Sequence, residues 1–328
     1  MQLTLVPTRC SMLRMEDYPQ NQLEFSSRFD SEEACHEYLF AMRWPDGFKC
    51  PQCGNSTAWP TSRYEYRCSE CDLQTSITSG TIFHRTRKPL QLWFQAIWSI
   101  TSQKYGANAL GLQRILGLGS YHTAWEWLHK LQRAMVRPGR EKLSGVVEVD
   151  ETYVGGQKSG KRGRGAEGKA LVMIAVEDKD ELGFGRIRLG QVEDASGYSL
   201  TRFIEDNVEK GSTVRTDGWS GYNSLSKKGY KHVVQAEMSD VGEELLPLAH
   251  RIASLLKRWL MGTYQGAVRK KHLDYYLDEY TFRFNRRTSA SRGKLFYRLV
   301  QQAVLVDPIP ANRIVGGAGA QNSSKKLK

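Results

Sequence analysis

Residues 146–156 read Val-Val-Glu-Val-Asp-Glu-Thr-Tyr-Val-Gly-Gly, an apolar, β-branched run with a carboxylate, Asp150, in its middle. The composition is that of a core strand. A charged carboxyl in such a place is costly unless a neighbouring group or a bound cation neutralises it. Residues 212–219, Ser-Thr-Val-Arg-Thr-Asp-Gly-Trp, repeat the device with Asp217 at a strand end.

The 328 residues are enough for two or three domains, and 40% hydrophobic residues is ordinary for a globular chain with a real core. Lys and Arg number 47 against 35 Asp and Glu, a net charge of +12 and a pI near 9.4. That balance favours a polyanionic partner such as DNA, RNA or an acidic membrane surface. No run approaches the ~18 apolar residues of a membrane span, and the start is too short and polar for a secretory signal. A cytoplasmic protein is expected. Two strand-borne aspartates in a basic chain point to a metal-dependent enzyme acting on nucleic acid.

Four of the six cysteines, Cys50, Cys53, Cys68 and Cys71, form two C-x-x-C pairs separated by 14 residues; Cys10 and Cys35 stand alone. In a cytosolic chain this pattern reads as zinc, not disulfide. A zinc ribbon is expected, with each pair at a hairpin tip, Pro51 and Gly54 in the first turn, and the alternating Arg-Tyr-Glu-Tyr-Arg as a strand between the pairs. Four thiolates leave no open position, so the ion is structural.

Along the chain, residues 1–29 show little periodicity and read as loosely ordered. Asp30 or Ser31 caps a helix over 32–43. Residues 89–136 read as helical, with a short helix at 108–116, a turn through Gly117-Leu118-Gly119, and a helix over 122–135 capped by Ser120. Helix, glycine turn and capped helix is the helix-turn-helix pattern, in which Tyr121, His122 and Thr123 would face a DNA groove. An ordinary helical hairpin without DNA contact has the same pattern.

From 143 the periodicity changes to that of strands at 146–154, 170–177 and 184–192. A helix at 198–208, strands at 213–216 and 232–235, and helices at 248–260 and 271–284 follow. Three antiparallel strands followed by alternating helices and strands is the order of a ribonuclease H-like α/β domain. There the fourth strand lies parallel beside the first, so Asp150 and Asp217 would share one ion site. The expected organisation is an N-terminal segment with a short helix (1–45), the zinc ribbon (46–82), a helix-turn-helix-like domain (83–140), the ribonuclease H-like catalytic domain (141–304), and a disordered basic tail (305–328).

Two aspartates hold Mg²⁺ in part, because Mg²⁺ keeps several waters and accepts phosphate oxygens. Two such ions about 3.5–4 Å apart serve the attacking and leaving oxygens of a displacement. A third ligand must come from a later helix. On 248–260, Leu248, Ile252, Leu255, Leu256 and Trp259 share one face, and His250, Ser254 and Lys257 the opposite one. His250 is a candidate metal ligand and Lys257 a candidate phosphate holder; a solvated polar face is the plainer reading. Asp240, Glu243 and Glu244 upstream, and Glu148 and Glu151 flanking Asp150, are rivals for the third position. For DNA, the glycine-rich loop at 155–168 carries Lys158, Lys161, Arg162 and Arg164. The stretch 257–298 holds 11 Lys and Arg against three acids, with Arg283, Arg286 and Arg287 the phosphate candidates.

These residues resemble a known family. Arg-Trp-Pro-Asp-Gly-Phe-Lys-Cys-Pro-Gln-Cys-Gly at 43–54, Val-Asp-Glu-Thr-Tyr-Val-Gly-Gly at 149–156 and Thr-Asp-Gly-Trp-Ser-Gly-Tyr at 216–222 carry the likeness. So do Lys-Arg-Trp-Leu-Met-Gly-Thr-Tyr at 257–264 and Tyr-Leu-Asp-Glu-Tyr-Thr-Phe-Arg-Phe-Asn-Arg-Arg at 276–287. In that order they resemble bacterial insertion-sequence transposases with an N-terminal zinc ribbon and a DDE-type catalytic domain, relatives of the Merlin transposons. The resemblance implies metal-dependent cutting and joining of double-stranded DNA, recognition of terminal inverted repeats by the N-terminal modules, and a bacterial, nucleoid-associated protein. It also implies a homodimer or larger assembly that brings two ends together. By position, Asp150 and Asp217 are the first two acids. The family's third residue is commonly a glutamate seven positions before a helical lysine; counting back from Lys257 gives His250, a departure from a plain DDE set. Imidazole is a softer ligand than carboxylate, so Mn²⁺ is expected to serve better than Mg²⁺. A structure-selective nuclease on the same fold, or a non-catalytic DNA-binding regulator, would share many of these features.

Overall fold

The computed structural model describes residues 16–61, 64–137, 139–155, 169–235, 245–266 and 268–316. The chain opens with α1 (Gln22–Arg28), capped by the Asn21 side chain, and α2 (Glu32–Arg43), capped by Ser31. Residues 16–29 therefore depart from the loose segment expected of 1–29. Phe25 stacks on Trp98 with ring centroids 4.7 Å apart, and both Phe25 and Phe29 meet Phe296. Pro19 lies so close to Gly293 that an added Cβ there would strike its carbonyl oxygen. Two lone phenylalanines carry no local helical signal; their partner is more than 260 residues away.

Strands β1 (Ala58–Pro60), β2 (Glu65–Cys68) and β3 (Gln74–Ser76) make the small antiparallel sheet of the ribbon. Rings of Phe40, Trp44, Phe48 and Tyr66 join it to α2. Helices α3 (Leu90–Ser102), α4 (Ala109–Leu116) and α5 (Tyr121–Ala134) follow. Gly117, in the left-handed region at φ +60°, ends α4, and Ser120 caps α5.

The large sheet is built from β4 (Val146–Val154), β5 (Ala170–Asp178), β6 (Phe184–Val192), β7 (Thr213–Thr216) and β8 (Lys231–Val234), with α6 (Gly197–Asn207) before β7. Its order is β6-β5-β4-β7-β8. β4, β5 and β6 pair antiparallel, and β7 lies parallel to β4 and to β8. This is the ribonuclease H-like arrangement. One face packs Val147, Val149, Met173 and Ala175 against Leu200, Phe203 and Ile204 of α6. The other packs Val172, Ile174 and Val176 toward Ile252 and Leu256 of α7 (Pro247–Tyr264).

Helices α8 (Leu273–Phe284), α9 (Arg292–Ala303) and α10 (Ala311–Gly316) complete the chain. The tail was expected to be disordered, from 305 on. For 308–316 that expectation is corrected: Ile314 is fully buried, its carbonyl accepts from His272 Nε2 at 3.1 Å, and the Val315 carbonyl accepts from Lys271 Nζ at 2.9 Å. Residues 317–328 lie outside the described residues.

α3 packs on α9, and α5 on α8 and α9, so residues 90–134 share a core with the C-terminal helices. A buried polar knot ties these layers together. Glu279 on α8 is fully enclosed and accepts from Gln132 Nε2 of α5 (2.8 Å), Tyr264 OH at the end of α7 (2.7 Å) and Arg283 Nε (2.8 Å). Arg283 in turn donates to the carbonyls of Ile100 and Gln103 at the end of α3. Gly106 passes over the knot at φ +81°, and a Cβ there would lie 2.4 Å from Glu279 Oε1. Glu279→Ala leaves Arg283 buried without its counter-charge and should cost about 3–5 kcal/mol of unfolding free energy. Denaturant unfolding checks this; a loss below about 1 kcal/mol would mean that the knot contributes little.

His129 on α5 is fully enclosed, with Nδ1 2.8 Å from the Trp125 carbonyl and no partner for Nε2 among the described residues. Burial pushes its pKa down to about 4, opposed by the bond to Trp125 and aided by His272. The unfolded imidazole titrates near 6.5. Neutral His129 thus contributes its stability fully above about pH 6.5, and that contribution is lost as pH falls toward about 4. The loss is on the order of 3 kcal/mol. His129→Phe should flatten this part of the acid limb in unfolding curves taken from pH 7 to pH 4; parallel limbs in the two proteins would exclude the assignment.

Candidate active site and zinc centre

The knuckle before β1 carries Cys50 and Cys53; Cys68 ends β2 and Cys71 sits in the turn after it. Gly54, at φ +76°, closes the first turn by donating to the Cys50 carbonyl at 3.0 Å. Sulfur separations are 3.6 Å for Cys50–Cys71 and 3.6 Å for Cys53–Cys68, and all four ligand atoms lie within 4.8 Å of one another. Tetrahedral bonds of about 2.3 Å give an edge of about 3.8 Å. A disulfide would need about 2.05 Å. The amide of Glu70 points at Cys68 Sγ, 3.5 Å away. The four sulfurs fit a structural zinc ion.

Asp150 lies in the middle of β4, and Asp217 one residue beyond β7. Val147 and Val214 stand opposite each other, and both join the core under α6. Side chains alternate along a strand, so Glu148, Asp150 and Arg215 point to the other face, toward α7. The Glu148–Arg215 register, carried two residues further, sets Asp217 beside Asp150 on strands about 4.8 Å apart. Burial pushes the Asp150 carboxyl up to about 6. The charges of Glu151 and Asp217 push the same way, and the Glu151 amide and His250 oppose it. Asp217 is steadied by the Trp219 amide, which donates to Oδ1 at 3.1 Å, while the Trp219 indole donates to the Ala195 carbonyl.

α7 brings His250 to this pair, with Nε2 3.4 Å from Asp150 Oδ2. His250 is 45% exposed and Asp150 16%, so the cluster opens to solvent on the helix side. Lys257, exposed two turns along, has its ammonium pKa lowered by partial burial and by Lys169, and raised by Asp150. Asp217, His250 and Lys257 therefore all lie within electrostatic reach of Asp150. Among the described residues the four cysteines are the one set of three or more His, Cys, Asp or Glu whose ligand atoms all lie within 4.8 Å, so the aspartates and His250 are spread more widely. A centre for two ions about 3.5–4 Å apart tolerates such a spread. Two carboxylates and an imidazole around an open side suit a divalent cation that keeps its waters.

The rival acids on β4 have other partners. Glu148 is 3% exposed and accepts two backbone amides of α7. Glu151, on the opposite face, accepts from the buried Tyr222 hydroxyl at 2.7 Å. Asp240, Glu243 and Glu244, like Lys158, Lys161, Arg162 and Arg164, lie outside the described residues.

Tyr121 and His122 are exposed at the start of α5, and Thr123 is half-buried beside them. The arginines of 283–287 have partners within the fold. Arg283, only 11% exposed, is held by Glu279 and the end of α3. Arg286 covers the Phe282 ring at 4.0 Å, donates to the Phe282 carbonyl, and is pushed down to about 10 by burial. Arg287, though exposed, donates to the carbonyls of Phe184, Gly185 and Phe284, by the start of edge strand β6 and two strands from Asp150. These cations serve the fold's own carbonyls and do not line the aspartate cluster. Sequence reasoning assigns no role to Tyr222 or Lys169 and does not foresee the task of Glu148. The one available signal is that Glu148 is a second acid in the same apolar strand.

Residues 142–285 match the ISXO2-like transposase domain family, and residues 30–74 match the transposase zinc-ribbon domain, together more than half of the chain. The chain is 26% identical over 300 residues to an uncharacterized protein in transposable element ISH50 of Halobacterium salinarum, spanning 84% of this chain and 98% of that protein. Among solved structures it is similar to the catalytic core domain of BIV integrase, at 13% identity and a TM-score of 0.31, over 46% of this chain and 90% of that one. It is similar also to the Mos1 strand transfer complex, at 12% identity and a TM-score of 0.23, over 67% and 78%. With a four-cysteine ribbon ahead of a sheet of order β6-β5-β4-β7-β8, and with both domains matched in sequence, the chain belongs to the zinc-ribbon, DDE-type insertion-sequence transposases.

Proposed function

We propose that this transposase cuts DNA at the ends of its element and joins the freed 3′ ends to a target duplex, with Asp150, Asp217 and His250 holding divalent cations, Mg²⁺ or Mn²⁺. The observation that carries this reading is the placing of two aspartates on one face of adjacent parallel strands, with His250 Nε2 3.4 Å from Asp150. When bound, such ions activate the attacking oxygen and stabilise the leaving one. The chain's own residues position and neutralise. Asp150 and Asp217 orient the cations on a rigid sheet, and Lys257, on the helical face of His250, offers its ammonium to a phosphate near the cut. Tyr121, His122 and Thr123 at the start of α5 contact a DNA groove, and Lys158, Lys161, Arg162 and Arg164, in the segment that follows β4, contact the backbone near the strand end. Two ends must meet, so the working species is a homodimer or larger assembly on double-stranded DNA.

A pre-cut duplex taken from the native DNA on either side of the reading frame, incubated with a supercoiled target plasmid, tests this. Joined products are expected. Cutting without joining would indicate a nuclease, and binding without either a regulator. Because an imidazole replaces the usual third carboxylate, Mn²⁺ should support joining several-fold better than Mg²⁺, and His250→Glu should remove that preference. Rates in matched concentrations of the two metals decide; a wild-type protein at least as fast in Mg²⁺ would count against His250 as a ligand.

A further inference from the structure

The first turn of α7 has no cap of its own. Leu246 at the N-cap position offers no side-chain acceptor, and Pro247 at the first helical position has no amide proton. The next two amides, of Leu248 and Ala249, both donate to one oxygen of Glu148, at 2.9 and 3.0 Å. Glu148 comes from β4, a hundred residues earlier, and is 3% exposed. A buried carboxylate thus meets the positive end of an 18-residue helix, where negative charge is favoured.

The placing of this anchor is informative. Glu148 lies two residues before Asp150 on the same strand face, and His250 is the residue after Ala249. One bond pair therefore locks the helix to the strand within one residue of His250 and two of Asp150. The axial and rotational setting of the helix follows from it, and so does the 3.4 Å approach of His250 to Asp150. Glu148 is needed at its full length: the acceptor must cross from a strand to the end of the helix packed over it.

We propose that Glu148 is a positioning residue that sets His250 against Asp150 by capping α7 from the neighbouring strand; this rests on the reading of Asp150, Asp217 and His250 as cation ligands. It touches neither cation nor DNA and acts through the helix.

Glu148→Gln and Glu148→Ala, His250→Ala, and the double variant Glu148→Ala/His250→Ala test it, with Mn²⁺ alone as the calorimetric probe. Partners that orient a metal ligand are typically worth about 10–100-fold in affinity, so Glu148→Gln should weaken Mn²⁺ binding by about 10-fold and Glu148→Ala by more. Amide hydrogen exchange should quicken at Leu248 and Ala249 while β4 and β5 keep their protection, a change that general destabilisation would not confine to two amides. The double variant should bind no more weakly than His250→Ala, because the anchor acts only through that imidazole. If Glu148→Ala does not fold, Glu148→Gln and its exchange pattern decide. Binding within about twofold of wild type in a folded Glu148 variant, or additive losses in the double variant, would overturn the positioning role while leaving the ligand assignment intact. Undiminished Mn²⁺ binding by His250→Ala would overturn the ligand assignment, and the positioning role with it.

Discussion

Asp150→Asn and Asp217→Asn proteins are expected to bind transposon-end DNA as the wild type does, and to cleave it slower by about 10³-fold or more. Asparagine keeps the shape and one oxygen but removes the charge. With one of two carboxylates on the shared face neutral, the site loses both cation affinity and the alignment of cation with phosphate. At Asp150 a neutral amide should be tolerated by the fold, because burial already pushes this carboxyl up to about 6. Binding should be spared because the proposed phosphate contacts are basic side chains other than these two aspartates, and the loss of a negative charge does not repel DNA. Gel shift and cleavage on one duplex at one ionic strength separate the two effects, since affinity for DNA depends steeply on salt. Cleavage within about tenfold of wild type in either variant would end the case for a shared centre.

Removing zinc has the second large effect. The ribbon's strands are three and four residues long, too short to form a sheet that holds itself. In small zinc modules the apparent binding free energy, about 10–16 kcal/mol, is folding free energy. Chelation, or Cys68→Ser at the fully buried ligand, is therefore expected to unfold the ribbon and expose the rings of Trp44, Phe48 and Tyr66 that pack it on α2. The five-stranded sheet, covered by α6 on one face and α7 on the other, should keep its far-ultraviolet signal, while tryptophan emission shifts to the red and binding to transposon ends falls. Metal analysis should find a single zinc per chain, lost in the variant. An unchanged melting profile and emission spectrum after chelation would show that the four sulfurs do not need the ion.

Elements with a strong local period are legible in the amino-acid sequence. α2, β4 and β6 coincide with the spans that periodicity predicts, and Ser31 and Ser120 cap where a hydroxyl precedes an apolar helical face. Asp150 and Asp217 stand out because an acid in or at the end of a β-branched run is costly unless a partner or a cation neutralises it. α1 and α10 escape such a reading because each is short and buries one or two apolar side chains: Phe25 makes sense only against Trp98 and Phe296, and Ile314 only beside His272. Arg283 misleads because a basic stretch looks like a DNA-facing surface until its partners are known.

The amino-acid sequence by itself determined the order of elements from α2 to α8, the four cysteines of the ribbon and the two aspartates at β4 and β7. Each follows from periodicity or spacing within a short window, where backbone hydrogen bonding and apolar burial act between near neighbours. The tertiary structure alone decided what every other charge does. Glu148 caps a helix a hundred residues away, Glu151 accepts from the buried Tyr222 hydroxyl, and Glu279 binds three helices together. A carboxylate carries the same charge in each place. Its role is set by which donors surround it once water is excluded, and those donors come from parts of the chain that only folding brings near.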